Sequence, residues 1–283
     1  MRLLVSEIFR VYKKAPLQIL SIWLMDLFEA LIIVANPYVI GKCIDGLLQQ
    51  DIVWLIVLIV LEVLFGISRA LNKLLDTRVY SQIVEEESIA YYSRISGTSA
   101  ADSLISARLD LVNDIPNFLE INLFQILNMI LGIIISLVFL YSESKTCVFW
   151  LATSTVILIP WSTHKFQSQI TDNFKNYKTL DEKRVDAISS RNIKEYSNFI
   201  RGILAIVVQN SDLDVRVFIL THLLQTALLV AAIWSIFSAE TFTAGLLFST
   251  ITYVEMLNSH TVEVNDNIIL LKDLKETAER LKE

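Results

Sequence analysis

Six long apolar segments constrain the fold of this 283-residue chain more than any other feature. The segments are roughly 16–41, 52–68, 121–141, 147–161, 217–237 and 242–257. Each continues into polar sequence that keeps a helical period, which predicts helices extending well beyond a bilayer. Hydrophobic residues make up 54% of the chain, a composition foreign to soluble domains. The sequence therefore predicts an all-α integral membrane protein with six transmembrane helices and long cytoplasmic extensions.

The connections between the segments alternate in length and charge. "YSESKT" and "SAET" are very short, whereas 69–120 and 162–216 are about fifty residues each. All but two of the 24 Lys and Arg residues lie in these two segments or in 1–15 and 264–283. The exceptions are Lys42 and Lys145. Because basic residues favour the cytoplasmic side, we expect a multi-pass protein of a bacterial inner membrane with both termini in the cytoplasm.

Three polar segments are expected to form helices outside the membrane, and 1–283 is expected to be a single domain. Residues 1–15 predict an amphipathic elbow helix in contact with membrane lipid, the alternative being a basic flank that only sets topology. The segment 69–120 keeps a helical pattern, breaks at "SGTSAAD" and resumes, which predicts a cytoplasmic helical hairpin. The segment 162–216 repeats this plan.

Several functional classes find no support in the sequence. A net charge of −6 without a basic aromatic patch argues against a nucleic-acid partner. Cys43 and Cys147 lie near the outer ends of two predicted spans, where they could pair or remain two ordinary thiols. Neither cysteine has the clustered partners of a metal site, and no catalytic constellation has usable spacing. We expect no metal or other cofactor and no enzyme activity.

Four local motifs carry a resemblance to a known family. "NPYVIGKCIDGLL" has the Pro, Gly and Asp that end the family's first span, and "SLISARLDLVNDI" has Arg108 and Asp114 after its first cytoplasmic tip. "FTAGLLFSTITYVEML" places Gly245 and Tyr253 in the sixth span, and "LKETAERLKE" resembles the helix that leads into an ATPase domain. In order and spacing, the whole chain resembles the transmembrane domain of type I (exporter-type) ABC transporters.

The resemblance implies a homodimer and an ATPase domain after the last helix. However, the sequence contains no G-x-x-x-x-G-K-[ST] loop, so we expect no nucleotide-binding domain and no ATP hydrolysis by this chain. The first hairpin tip, "ISGTSAADSL", lacks the aromatic pair that the family often uses to dock its ATPase, whereas the second keeps Tyr196 and Phe199. Both motor-free operation and a separate ATPase subunit remain open.

Ionisable and polar groups within the apolar segments indicate where cargo or protons would bind. An ionised carboxylate at mid-bilayer costs about 2.5 kcal/mol or more, so such groups normally face a cavity or take a proton. In the sixth span, polar residues recur at spacings of about 3 to 4, which predicts a stripe along one helical face. The candidates for a substrate- and proton-binding cavity are Asp26, Glu29, Glu62, Thr252, Glu255, Ser259, His260 and Glu263, with Asp266 extending the stripe.

Glu255 is the first choice for a proton switch, because it follows an apolar run and belongs to the stripe, with Asp26 and Glu29 as a facing pair. Simpler interpretations stand beside this one: Asp26 or Glu62 could lie near an interface, and Glu263 could already be solvated. Asn122, Gln125 and Asn128 on the third span, with His222 and Gln225 on the fifth, are expected to make hydrogen bonds between helices.

Three functions are compatible with these observations. The first is transport of a small solute or peptide driven by protons, as in ATPase-lacking peptide uptake proteins that share this scaffold. The second is the membrane subunit of a transporter with a separately encoded ATPase. The third is a receptor or regulator that transports nothing. The sequence leaves substrate identity and transport direction undetermined.

Overall fold

The structure, a computed structural model, describes residues 2–95, 109, 112–181, 184–189, 191–239 and 242–280. Within these ranges the ordered elements are all helices. They are α1 (Arg2–Lys14), α2 (Pro16–Leu48), α3 (Val53–Ile95), α4 (Asp114–Glu143), α5 (Thr146–Asp181), α6 (Arg184–Ser189), α7 (Ile193–Phe237) and α8 (Ala244–Arg280). One π-helical turn, Phe118–Asn122, interrupts α4. The all-α membrane fold predicted from the sequence is confirmed.

Five helices of the described residues are long and apolar enough to cross a membrane: α2, α3, α4, the Thr146–Phe166 part of α5, and α7. The sixth predicted span is the first part of α8, where an apolar run at 244–257 gives way to polar sequence. The 45 residues of α7 correspond to about 68 Å of helix, twice the roughly 30 Å hydrocarbon core. The helices therefore extend well beyond the membrane, as the continued helical pattern predicted.

The two ends of the helix bundle differ. At one end, here called the short-loop end, the connections 49–52, 144–145 and 238–243 join consecutive long helices. Gln50 adopts a positive φ of 62° in the first of these turns. At the opposite end, here called the extension end, α5 and α7 are joined through the short α6. The second predicted hairpin is thus two long helices connected by one short helix.

Two clusters of buried side chains hold the bundle together. The cluster at the short-loop end joins α4, α5, α7 and α8, and contains Phe139, Leu140, Val148, Ala152, Leu228, Ala232, Tyr253, Val254 and Leu257. The cluster towards the extension end joins α1, α2, α3, α4 and α8, and contains Val11, Ile19, Ile22, Val79, Tyr80, Ile83, Ile115, Phe118, Leu119, Leu274 and Ala278. Because α4 and α8 contribute to both clusters, these two helices connect the two ends of the bundle.

The N-terminal helix α1 packs mainly against α8 and makes ion pairs with the extension of α3. Val11 is buried, and the basic side chains make ion pairs with acidic residues of α3. Arg10 and Lys14 each lie 2.9 Å from the carboxylate of Glu87. The predicted amphipathic helix therefore exists, while its place in the lipid interface stays a prediction.

Helices α2 and α8 make their closest approach at the short-loop end. A Cβ on Gly41 would lie 2.5 Å from the Gly245 carbonyl oxygen, so the two backbones touch directly. The carboxylate of Asp45 accepts hydrogen bonds from the Gly245 amide (2.8 Å) and the Thr243 hydroxyl (2.7 Å) at the start of α8. Gly41 and Asp45 of the first-span motif thus connect α2 to α8, the sixth predicted span.

Some sequence predictions fall on residues outside the described ranges. They are the "SGTSAAD" break of the first hairpin, Arg108, and 281–283 at the end of the last helix. The two cysteines are free in the structure, with Cys43 buried and Cys147 exposed.

Candidate functional site

A polar cavity of about 530 Å³ lies between α4 and α8. Its depth follows from helix geometry: Asn128 lies fifteen residues from the short-loop end of α4, and His260 lies sixteen residues from the start of α8. Both are therefore about 23 Å from that end. The cavity, which we call the α4–α8 cavity, is lined by Asn122, Phe124, Gln125, Asn128, His260, Glu263, Asp266, Asn267 and Leu270. Asp266 and Leu270 lie about 33 and 39 Å from the same end, so the cavity extends from the apolar part of the bundle towards the extension end.

The helical period explains why these polar residues converge. Asn122, Gln125 and Asn128 recur every three residues on α4, so they share one face. That face meets the polar stripe of α8. The π-helical turn of α4 ends at Asn122, the first of the lining residues on this helix, and such turns occur frequently at functional sites.

His260 and Glu263 form the best-defined contact of the α4–α8 cavity. The imidazole Nδ1 lies 2.9 Å from the Glu263 carboxylate, one helical turn further along α8. His260 is buried, whereas the Glu263 side chain is 45% exposed and reaches the cavity. The imidazole rests against Gly132 of α4, where a Cβ would lie only 2.5 Å from its Nε2. Because Gly132 has no side chain, α4 leaves space for the imidazole of His260.

The other candidate residues of the polar stripe on α8 are at least partly exposed. Glu255 and Ser259 are exposed on the surface of the protomer, and Thr252 is partly exposed with its hydroxyl bonded to the Phe248 carbonyl. Ser259 donates a hydrogen bond of 3.3 Å to Glu263. The structure thus brings Ser259, His260 and Glu263 together, and leaves Glu255 in the apolar part of α8.

The two acidic residues of α2 face α3 and have different partners. Glu29 is fully buried and lies 3.0 Å from the guanidinium of Arg69, with the Ser68 hydroxyl at 3.3 Å. Asp26 is also buried and accepts a 2.7 Å hydrogen bond from the Asn72 amide. We call Asp26 and Glu29 the α2–α3 acidic pair.

The α2–α3 acidic pair is adjacent to the α4–α8 cavity. The Arg69 guanidinium lies 5.1 Å from the ring centre of Phe124, and this ring lines the cavity. Glu62 stands apart from both groups, exposed on α3, with its carboxylate 2.9 Å from the Asn36 amide.

Sequence reasoning missed several of these residues. In the sequence, Arg69 and Asn72 look like ordinary residues of a polar segment. They lie three residues apart just after an apolar run, and this spacing could have indicated partners for acids in a neighbouring span. Nothing in the sequence indicated that Gly132 leaves space for His260. Of the polar residues expected to bond between helices, Gln225 does so, donating to the Asn258 carbonyl at 3.2 Å, whereas His222 stacks on Phe218 of its own helix.

The chemistry of the α4–α8 cavity is acidic and rich in hydrogen-bonding groups. Glu263 and Asp266 contribute carboxylates, and three amide side chains of α4 contribute both donors and acceptors. In the described part of the chain, no group of three or more His, Cys, Asp or Glu side chains could hold a metal ion. The arrangement suits a polar ligand with positive charge.

Comparison with known proteins identifies the scaffold. The chain matches the family "ABC transporter transmembrane region" over residues 8–245. By sequence, no curated protein matches it. Among solved structures, it is similar to a bacterial Atm1-family ABC exporter with ATP bound, with a TM-score of 0.62 and 15% identity. The similarity covers 93% of this chain and 53% of the exporter, so the chain spans about half the length of that protein. The family match covers most of the chain, and the chain therefore belongs to the ABC transporter transmembrane region family.

Proposed function

We propose that this protein forms the membrane pathway of a transporter for small cationic solutes or cationic peptides, driven by protons. The α4–α8 cavity carries the proposal. It combines two carboxylates, a histidine and several amides within an otherwise apolar bundle. Polar groups at membrane depth are costly, and they mark substrate and ion pathways where they occur.

The charge of the cavity supports a cationic cargo. Glu263 is half-exposed within it, and Asp266 is exposed one turn further along α8. Among the lining residues, His260 is the only group able to carry positive charge, and it already contacts Glu263. An amine or guanidinium would complement these carboxylates, whereas an anion would be repelled.

A homodimer completes the proposed pathway. Leu204, Val207 and Val208 are each at least half exposed on α7, although they lie about 44–50 Å from its short-loop end. That distance exceeds the roughly 30 Å hydrocarbon core, so lipid tails cannot cover them. A second copy of the chain would cover them, and would enclose Glu255. The extension end lies in the cytoplasm of a bacterial inner membrane, as the distribution of basic residues predicts.

Flux measurements in proteoliposomes containing only this protein test the proposal. The probes are a fluorescent oligolysine peptide, a small primary amine and an oligoglutamate peptide of the same length. We expect a pH gradient to drive uptake of the first two probes, without ATP, and to leave the third outside. Flux that ignores the gradient would contradict proton coupling. Tight binding of a partner without any flux would favour a receptor or regulator.

A second candidate is the membrane subunit of a transporter with a separate ATPase. An apolar surface at the extension end favours it: Ile188 on α6 is 56% exposed and Ile193 at the start of α7 is 88% exposed, with Tyr196 beside them. Exposed apolar groups at the tip of a hairpin are typical of docking sites. Ile193→Glu separates the two candidates. It should abolish ATP-dependent flux in native membranes if an ATPase docks there, and leave gradient-driven flux unchanged if none does.

A further inference from the structure

The two members of the α2–α3 acidic pair are one helical turn apart, yet only one of them has a counter-charge. Glu29 makes an ion pair with Arg69 at 3.0 Å. Asp26 is 6% exposed, and its hydrogen bond comes from the neutral amide of Asn72. A buried carboxylate without a cation is strongly disfavoured, because a neutral donor replaces little of the lost hydration.

Within the described residues, no cation near Asp26 makes an ion pair with it. The charged groups around Asp26 are, on α3, Arg69, Lys73, Asp76 and the titratable Tyr80, on α4 Glu120, and on its own helix Glu29. Both cations hold other carboxylates, since Arg69 pairs with Glu29 and Lys73 lies 3.1 Å from Glu120 and 3.6 Å from Asp76. Of the basic residues of α1, Arg10 and Lys14 pair with Glu86 and Glu87 further along α3, and Lys13 lies over the Phe9 ring of its own helix. Three of the four carboxylates around Arg69 and Lys73 therefore share these two cations, and Asp26 makes no ion pair with either of them.

The side chain of Asn72 is a second, independent indication. It is 3% exposed, and its amide nitrogen donates to Asp26 Oδ1. Its carbonyl oxygen Oδ1 is buried and has no hydrogen-bond partner among the described residues. A buried carbonyl without a donor carries the full cost of desolvation. What this oxygen lacks is a hydrogen-bond donor, and the side chain hydrogen-bonded to Asn72 is the Asp26 carboxyl.

We propose that Asp26 is a proton-binding site, protonated in this conformation, with Asn72 as the residue that holds the neutral acid. The carboxylate takes one proton from the aqueous phase and forms an O–H bond at Oδ2. Asn72 then donates through its amide nitrogen to Oδ1 and accepts from the new O–H through its carbonyl oxygen. This mutual pair satisfies both buried side chains and removes the uncompensated charge.

The inference rests on the proposed function and assigns its coupling proton to a residue. Opening of the contact between α2 and α3 would admit water to Asp26 and favour release of the proton. Closing the contact would favour its uptake. Glu29, by contrast, is held in its ion pair with Arg69. The two acids of one helix turn thus have different roles, one binding the proton and one structural.

Infrared spectroscopy of the full chain in lipid nanodiscs at neutral pH tests the site directly. A protonated carboxyl has a C=O stretching band separate from that of a carboxylate, and the band shifts on exchange into D₂O. We expect this band in the wild type, its loss in Asp26→Asn, and its retention in Glu29→Gln. Asn72→Ala should move the band to higher frequency, because the acid loses its partner. Identical wild-type and Asp26→Asn spectra would overturn the proposal.

Two further measurements distinguish the alternatives. If a sodium ion rather than a proton occupies the site, NaCl in place of choline chloride will raise the unfolding temperature of the wild type and not of Asp26→Asn, which also overturns the proposal. Proteoliposome flux separates the inference from the proposed function. A protonated Asp26 with flux indifferent to the pH gradient leaves the site standing and refutes proton coupling. Gradient-driven flux with an ionised Asp26 refutes the site and leaves coupling standing.

Discussion

Substitution of Gly132 by alanine should disrupt the α4–α8 cavity through His260. A Cβ at this position would lie 2.5 Å from the imidazole Nε2 and closer still to Cδ2. Non-bonded heavy atoms reach their optimum near 3.5–4.0 Å, so the overlap is about 1 Å. The imidazole must then move away from α4 and lose its 2.9 Å contact with Glu263. Overpacking of this kind typically costs about 1–3 kcal/mol.

Gly66 on α3 provides the matched control. It is also a helical glycine in an apolar segment, but a Cβ there meets no atom within 4 Å. Gly66→Ala should therefore be neutral or stabilise the protein by up to about 1 kcal/mol, because alanine favours the helix over glycine. The difference between the two substitutions isolates the clash from the change in helix propensity.

The assay is equilibrium unfolding of purified protein in mixed detergent micelles, as a double-mutant cycle with His260→Ala. Removal of the imidazole leaves space for the new methyl group. Gly132→Ala combined with His260→Ala should thus be more stable than the sum of the single changes by about 1–3 kcal/mol. Gly66→Ala should be additive with His260→Ala within about 0.5 kcal/mol. Additivity at Gly132 would refute the reasoning, since it would mean that His260 does not pack there.

Four other substitutions test the remaining contacts. Gly245→Ala places a Cβ against the Gly41 carbonyl oxygen and should destabilise the protein by at least about 2 kcal/mol in the same assay; an unchanged stability would contradict the close helix approach. Glu29→Gln removes the charge from a buried ion pair with the half-exposed Arg69, and should lower the free energy of unfolding by about 1–3 kcal/mol; no loss would mean that the pair is dispensable. Asp26→Asn removes the proton-binding carboxyl, so it should abolish pH-gradient-driven flux while cross-linking still detects the dimer, whereas Glu255→Gln, on the exposed face of α8, should leave that flux largely intact; the opposite pattern would place the coupling site at Glu255.

Part of the candidate site was predictable because it depends on spacing along one helix. Ser259 and Glu263 follow from the polar stripe of α8, since residues four apart share a helical face, and His260 lies beside that stripe. The facing polar residues of α4 were predicted to bond between helices, and the structure places them along the lining of the cavity. Spacing identifies a face of a helix, but it does not tell whether that face meets a side chain or a cavity.

The sequence by itself determined the all-helical membrane fold and its long extensions. These properties are local: a helix satisfies its own backbone hydrogen bonds in lipid, and an apolar run of sufficient length places it there. The tertiary structure alone decided which polar groups meet. Asn72 reaches Asp26 across 46 residues of sequence, Arg69 reaches Glu29 across 40, and Asp45 caps α8 across 200. Such pairs depend on how neighbouring helices are rotated and shifted relative to one another. The packing of the whole bundle determines that arrangement, and no local sequence pattern specifies it.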